Sequence, residues 1–301
     1  MIRAPRSEPV RRPREIEEVT NLFLIHPLAS RLTPLFAELR ISANAVSVAG
    51  MVCGVLAAVA YHHFEDRRYA VAGFMLMIVW HVMDGADGQL ARLTHSQSQT
   101  GKVLDGICDY VTFIAVYLSL AAAMSTTLGE WVWALVLVAG LCHAVQSAAY
   151  EVQREEYLAI LWRRPSANPP GADPPPQRAA SPSRISRLLG VLDRLYVLVQ
   201  LEIAGGSVQF HQRLAALLER EPERAASIRE RYRATFAPAL RRWSALSSNY
   251  RTLGIFVSAL LGAPQYYFGF EIVGFSALLA LLMSAQRVRY ARFLQSVAAT
   301  E

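Results

Sequence analysis

The stretch that decides the fold reads Met83-Asp84-Gly85-Ala86-Asp87-Gly88-Gln89-Leu90-Ala91-Arg92. It resumes after eight residues as Gly101-Lys102-Val103-Leu104-Asp105-Gly106-Ile107-Cys108-Asp109. An apolar run, Tyr69–Met83, ends directly on Asp84, and another begins at Val103 and carries Asp105 and Asp109 in its first turns. Spacings of three and four place each aspartate pair on one face of a helix. Carboxylates near membrane depth are expensive, so they face a bundle interior or a water-filled cavity and mark function. Four converging carboxylates repel one another unless a cation compensates. A hard divalent ion with oxygen ligands suits them, and two such ions would balance four charges. Between the pairs, Gly88, Ala91 and Gly101 allow close backbone approach to a ligand, and Arg92 is a fixed cation suited to a phosphate.

Working outward, the apolar residues collect in blocks close to the ~20 residues a helix needs to cross ~30 Å of hydrocarbon. Six blocks are expected as transmembrane helices: Asn44–Tyr61, Tyr69–Met83, Val103–Met124, Trp131–Tyr150, Leu253–Phe270 and Ile272–Gln286. Residues 1–14 are polar and rich in Arg and Pro, and are expected to be disordered. From Ile16 to Leu39 apolar residues recur at helical spacing across Pro27 and Pro34, which predicts a broken amphipathic helix at the membrane surface or packed on the spans. After Tyr150 the hydrophobic signal stops. Ser166–Ser183 is a linker by composition, Ile185–Ile203 a second amphipathic candidate, and Phe210–Trp243 a charged helix. The expected fold is all-α and polytopic. It divides into an N-terminal tail and juxtamembrane helix (1–40), spans one to four (41–150), a cytoplasmic linker and helical insertion (151–249), and spans five and six with a tail (250–301).

A positive mean hydropathy argues against an ordinary soluble enzyme, and the net charge of +6 comes with arginine-rich ends. Arginine-rich ends on a membrane protein are topology determinants drawn to anionic lipid, and no basic and aromatic interleaving suggests nucleic acid. Arg3, Arg6, Arg11, Arg12 and Arg14 precede the spans without the apolar core of a signal peptide. Ser125–Glu130 and Gly262–Glu271 carry no positive charge. Both termini are therefore expected on the cytoplasmic side, with an even number of spans; the two arginines of His62–Arg68 run against the rule. Cys53, Cys108 and Cys142 lie in apolar spans with no paired spacing and read as small core residues.

The string Asp84-x2-Asp87-Gly88-x2-Ala91-Arg92-x8-Gly101-x3-Asp105-x3-Asp109 resembles, position for position, the signature of the CDP-alcohol phosphotransferase family. Upstream, Asn44 and Ser47 look like the family's Pro-Asn-x-x-Thr segment, with Ala43 replacing the proline and Ser47 the threonine. The resemblance implies a six-helix core, with the signature at the cytoplasmic end of the second span and the start of the third. It implies Mg2+ or Mn2+, as two ions, on Asp84, Asp87, Asp105 and Asp109, and a CDP site lined by Gly88, Ala91, Arg92 and Gly101. Asp109 would take the proton from the attacking hydroxyl, and CMP would leave. It also implies a homodimer in a lipid bilayer, expected here to be a bacterial inner membrane with the active site cytoplasmic.

The acceptor is open at this point. Lys102, Arg154 and Arg251, with Arg287 and Arg289, stand near span ends and could recognise a phosphorylated alcohol such as inositol phosphate or glycerol phosphate; each taken singly reads first as a topology or headgroup residue. His81 and His143 read as satisfied polar core residues. CDP-diacylglycerol with a polar alcohol is preferred over a soluble CDP-alcohol with a lipid hydroxyl. A divalent cation transporter is the reading from another class, and it leaves Gly88, Arg92 and Gly101 without a use.

Overall fold

The computed structural model describes residues 13–162 and 207–298. Residues 1–12, with most of the expected disordered tail, Ser166–Ser183 and Ile185–Ile203 lie outside them. Among the described residues every element is a helix: α1 (His26–Glu38), α2 (Ala43–His62), α3 (Arg67–Leu93), α4 (Gln99–Leu128), α5 (Trp131–Trp162), α6 (Ser207–Arg220), α7 (Ala225–Trp243), α8 (Ser248–Leu260), α9 (Pro264–Phe270) and α10 (Ser276–Ala298). Five stretches among the described residues are long and apolar enough to cross a membrane: Ala43–His62, Arg67–Leu93, Thr100–Leu128, Trp131–Trp162 and Pro264–Ala298.

Six spans are expected, and the difference lies at the C-terminal end. The block Leu253–Phe270 is divided: α8 stops at Leu260, Gly262 adopts φ +71°, and Pro264 opens α9. Only glycine takes that backbone angle freely, and proline is well placed in a first helical turn. At 1.5 Å per residue α8 is only about 20 Å long. The junction expected at Phe270–Glu271 is instead the interior of one continuous helix, because a π-helical turn over Glu271–Phe275 joins α9 to α10. Hydropathy reads Glu271 as a loop residue, whereas here it is fully buried against Arg251.

Two more boundaries differ for local reasons. The N-terminal helix is continuous through both prolines: a π-helical turn, Asn21–Ile25, precedes Pro27, and Pro34 lies inside α1. A wider turn ahead of a proline accommodates the missing N–H and the ring. α5 runs twelve residues past Tyr150 to Trp162, because Val152, Glu156, Tyr157 and Ile160 keep burying one stripe. The charged helix expected over Phe210–Trp243 is two helices, α6 and α7, parted around Pro222.

The described residues form two compact units. One consists of 13–143 and 247–275. Its core joins Tyr61, Met77, Trp80, Phe113, Tyr117, Leu120, Val136, Ile255 and Phe268. The other consists of 144–162, 207–246 and 276–298, where Phe210, Tyr232, Phe236, Tyr290 and Phe293 form an aromatic cluster. In the second unit the Tyr290 hydroxyl donates to buried Glu156 at 2.6 Å.

Candidate metal and nucleotide site

The motif is built where α3 ends and α4 begins. α3 is closed by His95 in the left-handed region, φ +53°, with the Ser96 N–H donating to the Ala91 carbonyl at 2.9 Å. That six-to-one bond is the Schellman closure, here made by histidine where glycine is commoner. Two residues past Ser96, the Ser98 hydroxyl accepts from the Gly101 N–H at 3.0 Å and caps α4. The short turn therefore holds Asp84 and Asp87, in the last turns of α3, at the same end as Asp105 and Asp109, in the first turns of α4.

α2 packs against both helices, and two glycines four residues apart allow it. A Cβ on Gly50 would stand 3.0 Å from Met83 Cβ, and one on Gly54 would collide with the Thr112 side chain. Small residues at this spacing let membrane helices approach closely. In the sequence they are embedded in an evenly apolar run that gives them no distinguishing mark. Close approach carries the start of α2 into the site. The Ser47 hydroxyl donates to Asp87 Oδ2, and Asn44 Oδ1 lies 3.4 Å from where a Gly101 Cβ would be.

Three of the four aspartates come together. Asp84, Asp105 and Asp109 each offer a carboxylate oxygen, and these lie within 4.8 Å of one another. All three are partly exposed, so solvent and ligands can reach them. Asp87 is buried at 5 % exposure, bonded to Ser47 and within electrostatic range of Asp105 and Arg92. Oxygens this close are candidate ligands of one hard divalent ion, which holds its oxygen ligands at about 2.0–2.6 Å. The group contains neither imidazole nor thiolate, a donor set that suits magnesium or manganese better than zinc. Cys108 is buried, a free thiol within electrostatic range of all four carboxylates.

Arg92 is partly buried beside the open face of Gly88, where an added Cβ would meet Arg92 Nη1 at an ordinary 3.5 Å. Ala91 is partly buried, one turn beyond Asp87. Among the expected acceptor residues, Lys102 is exposed on the first turn of α4. Arg154 pairs with Glu151 one turn away on α5. Arg251 is fully buried: its Nε donates to Glu271 Oε1 at 3.1 Å and its Nη1 to the Ser247 carbonyl at 3.2 Å. Glu271 also accepts from the Tyr267 hydroxyl at 2.5 Å. His81 and His143 are satisfied core residues, on Thr252 at 2.9 Å and the Tyr117 hydroxyl at 3.1 Å.

A comparison with curated proteins finds no match to this chain. Residues 40–164, which hold α2 to α5 and all four aspartates, match the family model of CDP-alcohol phosphatidyltransferases.

Proposed function

We propose that this protein is a phospholipid-synthesis enzyme that transfers a phosphatidyl group from CDP-diacylglycerol to the hydroxyl of a polar alcohol or alcohol phosphate, releasing CMP. The observation that carries the reading is the meeting of Asp84, Asp105 and Asp109 oxygens within 4.8 Å, inside the segment that matches the family. Membrane-length apolar helices support a lipid-linked donor.

Asp84, Asp105 and Asp109 are the proposed metal ligands, with Asp87 joining them from the Ser47 side. When bound, Mg2+ or Mn2+ supplies neutralisation of the pyrophosphate charge, which makes CMP a better leaving group. Gly88, Ala91 and Gly101 leave room for the nucleotide, and Arg92 forks onto a phosphate. The acceptor oxygen attacks the phosphorus that bears the diacylglycerol. The bond from that phosphorus to the CMP oxygen breaks, CMP keeps the electron pair, and the hydroxyl proton goes to the Asp109 carboxylate. Lys102 and Arg154 are the candidates for a phosphorylated acceptor; Arg251, committed to Glu271, is not among them. Five candidate spans among the described residues do not by themselves place both termini on one side. The cytoplasmic placement of the site rests on Arg92 and Lys102 at its end of α3 and α4.

The test is CMP release from purified protein given Mg2+ or Mn2+, CDP-diacylglycerol and a panel of polar alcohols. Asp109→Asn is expected to retain nucleotide binding and to lose turnover by ~10²–10⁴-fold. Release only from soluble CDP-alcohols with a lipid hydroxyl would reverse the donor and acceptor, and no release from any pairing would sink the function.

A further inference from the structure

The last turns of α3 present two opposite faces. At about 100° per residue, Asp84, Asp87, Gly88 and Ala91 fall on one side, and Val82, Ala86, Gln89 and Leu90 on the other. α1 packs on that second side. Ile25 and Ala29 share one apolar cluster with Val82, Ala86 and Leu90. A Cβ on Gly85 would stand 3.3 Å from Ile25 Cγ2 and 3.4 Å from Ala29 Cβ. α1 thus braces the motif turn directly behind its carboxylates.

One polar side chain interrupts this apolar contact. Gln89 is 8 % exposed, and α1 engages both ends of its amide. The Ser30 hydroxyl donates to Gln89 Oε1 at 3.0 Å, and Gln89 Nε2 donates to His26 Nδ1 at a longer 3.5 Å. His26 Nε2 in turn reaches the buried Glu17 carboxylate at 2.9 Å. The chain is consistent in one direction. A His26 that accepts at Nδ1 carries its proton on Nε2, where it donates to Glu17.

Apolar packing alone tolerates sliding and small rotations, because dispersion contacts are non-directional. An amide held at both ends does not, since it is satisfied in a single register and costly to leave unsatisfied when buried. We propose that Gln89, held by Ser30 and His26 of α1, is a positioning residue that fixes the rotation and register of the motif turn and so sets where Asp84 and Asp87 present their oxygens. The inference rests on the metal reading proposed above and extends it to three residues on the far side of the helix. Partners that orient ligands from behind typically change metal affinity by 10–100-fold when lost.

The test is a Mn2+ titration of the purified full chain in detergent, without any donor, alongside thermal unfolding and CMP-release kinetics. Gln89→Leu and His26→Leu are expected to weaken Mn2+ binding about 10-fold or more and to lower kcat more than they raise KM for the donor. His26→Gln, whose amide can accept from Gln89 and donate to Glu17, is expected to restore both. Mn2+ affinity unchanged in the two leucine variants would overturn the inference and leave the metal site standing. So would a loss that follows the unfolding temperature and is not rescued by His26→Gln. An unsubstituted protein that binds no Mn2+ would remove the metal reading and the inference together, a result distinct from either.

Discussion

Gly88 and Gly101 are both small, for different reasons. At Gly101 the protein itself is crowded: a Cβ would stand 3.1 Å from the capping Ser98 Oγ and 3.4 Å from Asn44 Oδ1. At Gly88 the nearest atom is Arg92 Nη1 at 3.5 Å, so the protein has room for a methyl group. A glycine inside a helix is roughly 0.5–1 kcal/mol less favourable than alanine, and nothing in the packing compensates. The space at Gly88 is therefore expected to serve a ligand. Gly88→Ala should unfold at a slightly higher temperature, by up to about 1 kcal/mol of added stability, and yet bind CDP at least about tenfold more weakly. Equal CDP affinity in a stabilised variant would show that the space is unused. The motif spacing made these positions legible in the sequence. It did not separate Asp87 from its three neighbours, because its partner, Ser47, is forty residues away and on another helix.

At the scale of the element, the continuous helix through Glu271 shows why hydropathy misplaced a boundary. A charge in an apolar run reads as a break when its partner is not visible. Arg251 and Glu271 are both fully buried, and Tyr267 and the Ser247 carbonyl satisfy further positions. Removing one member of such a pair leaves the other charge uncompensated and typically destabilises by roughly 3–5 kcal/mol. Glu271→Gln should lower the unfolding midpoint sharply, while replacing Arg251 and Glu271 together by apolar residues of similar volume should recover much of the loss. The measurement is thermal unfolding in detergent, and a Glu271→Gln variant as stable as its parent would remove the pair as an organiser of α8 and α9. A broken amphipathic stretch was expected over Ile16–Leu39, and Val19, Phe23, Leu35 and Leu39 are exposed apolar residues in it. Its continuity through Pro27 was not legible, since the π-helical turn that admits the proline leaves no compositional mark.

At the scale of the molecule, the proposed metal ties α3 to α4 across the turn that closes one and caps the other. A ligand that binds the folded form alone stabilises it by mass action, by about 2.7 kcal/mol at one hundred times its dissociation constant. Saturating Mn2+ is expected to raise the unfolding midpoint, and EDTA to reverse the rise and abolish CMP release. Asp84→Ala should remove both the rise and the release; a midpoint indifferent to Mn2+ in the unsubstituted protein would count against the site.

The sequence by itself determined the helical class, the apolar spans around the motif and the four carboxylates with their glycines. All of these rest on local periodicity and spacing within one or two helices, which a linear string records in full. Tertiary structure alone decided which three carboxylates meet, that Ser47 holds the fourth, and that Gly50 and Gly54 bring α2 close enough to do so. It alone set Arg251 on Glu271 and made α1 a brace locked through Gln89. Each of these depends on contacts between residues far apart in the chain, where burial and pairing reverse what a charge or an amide means when read alone.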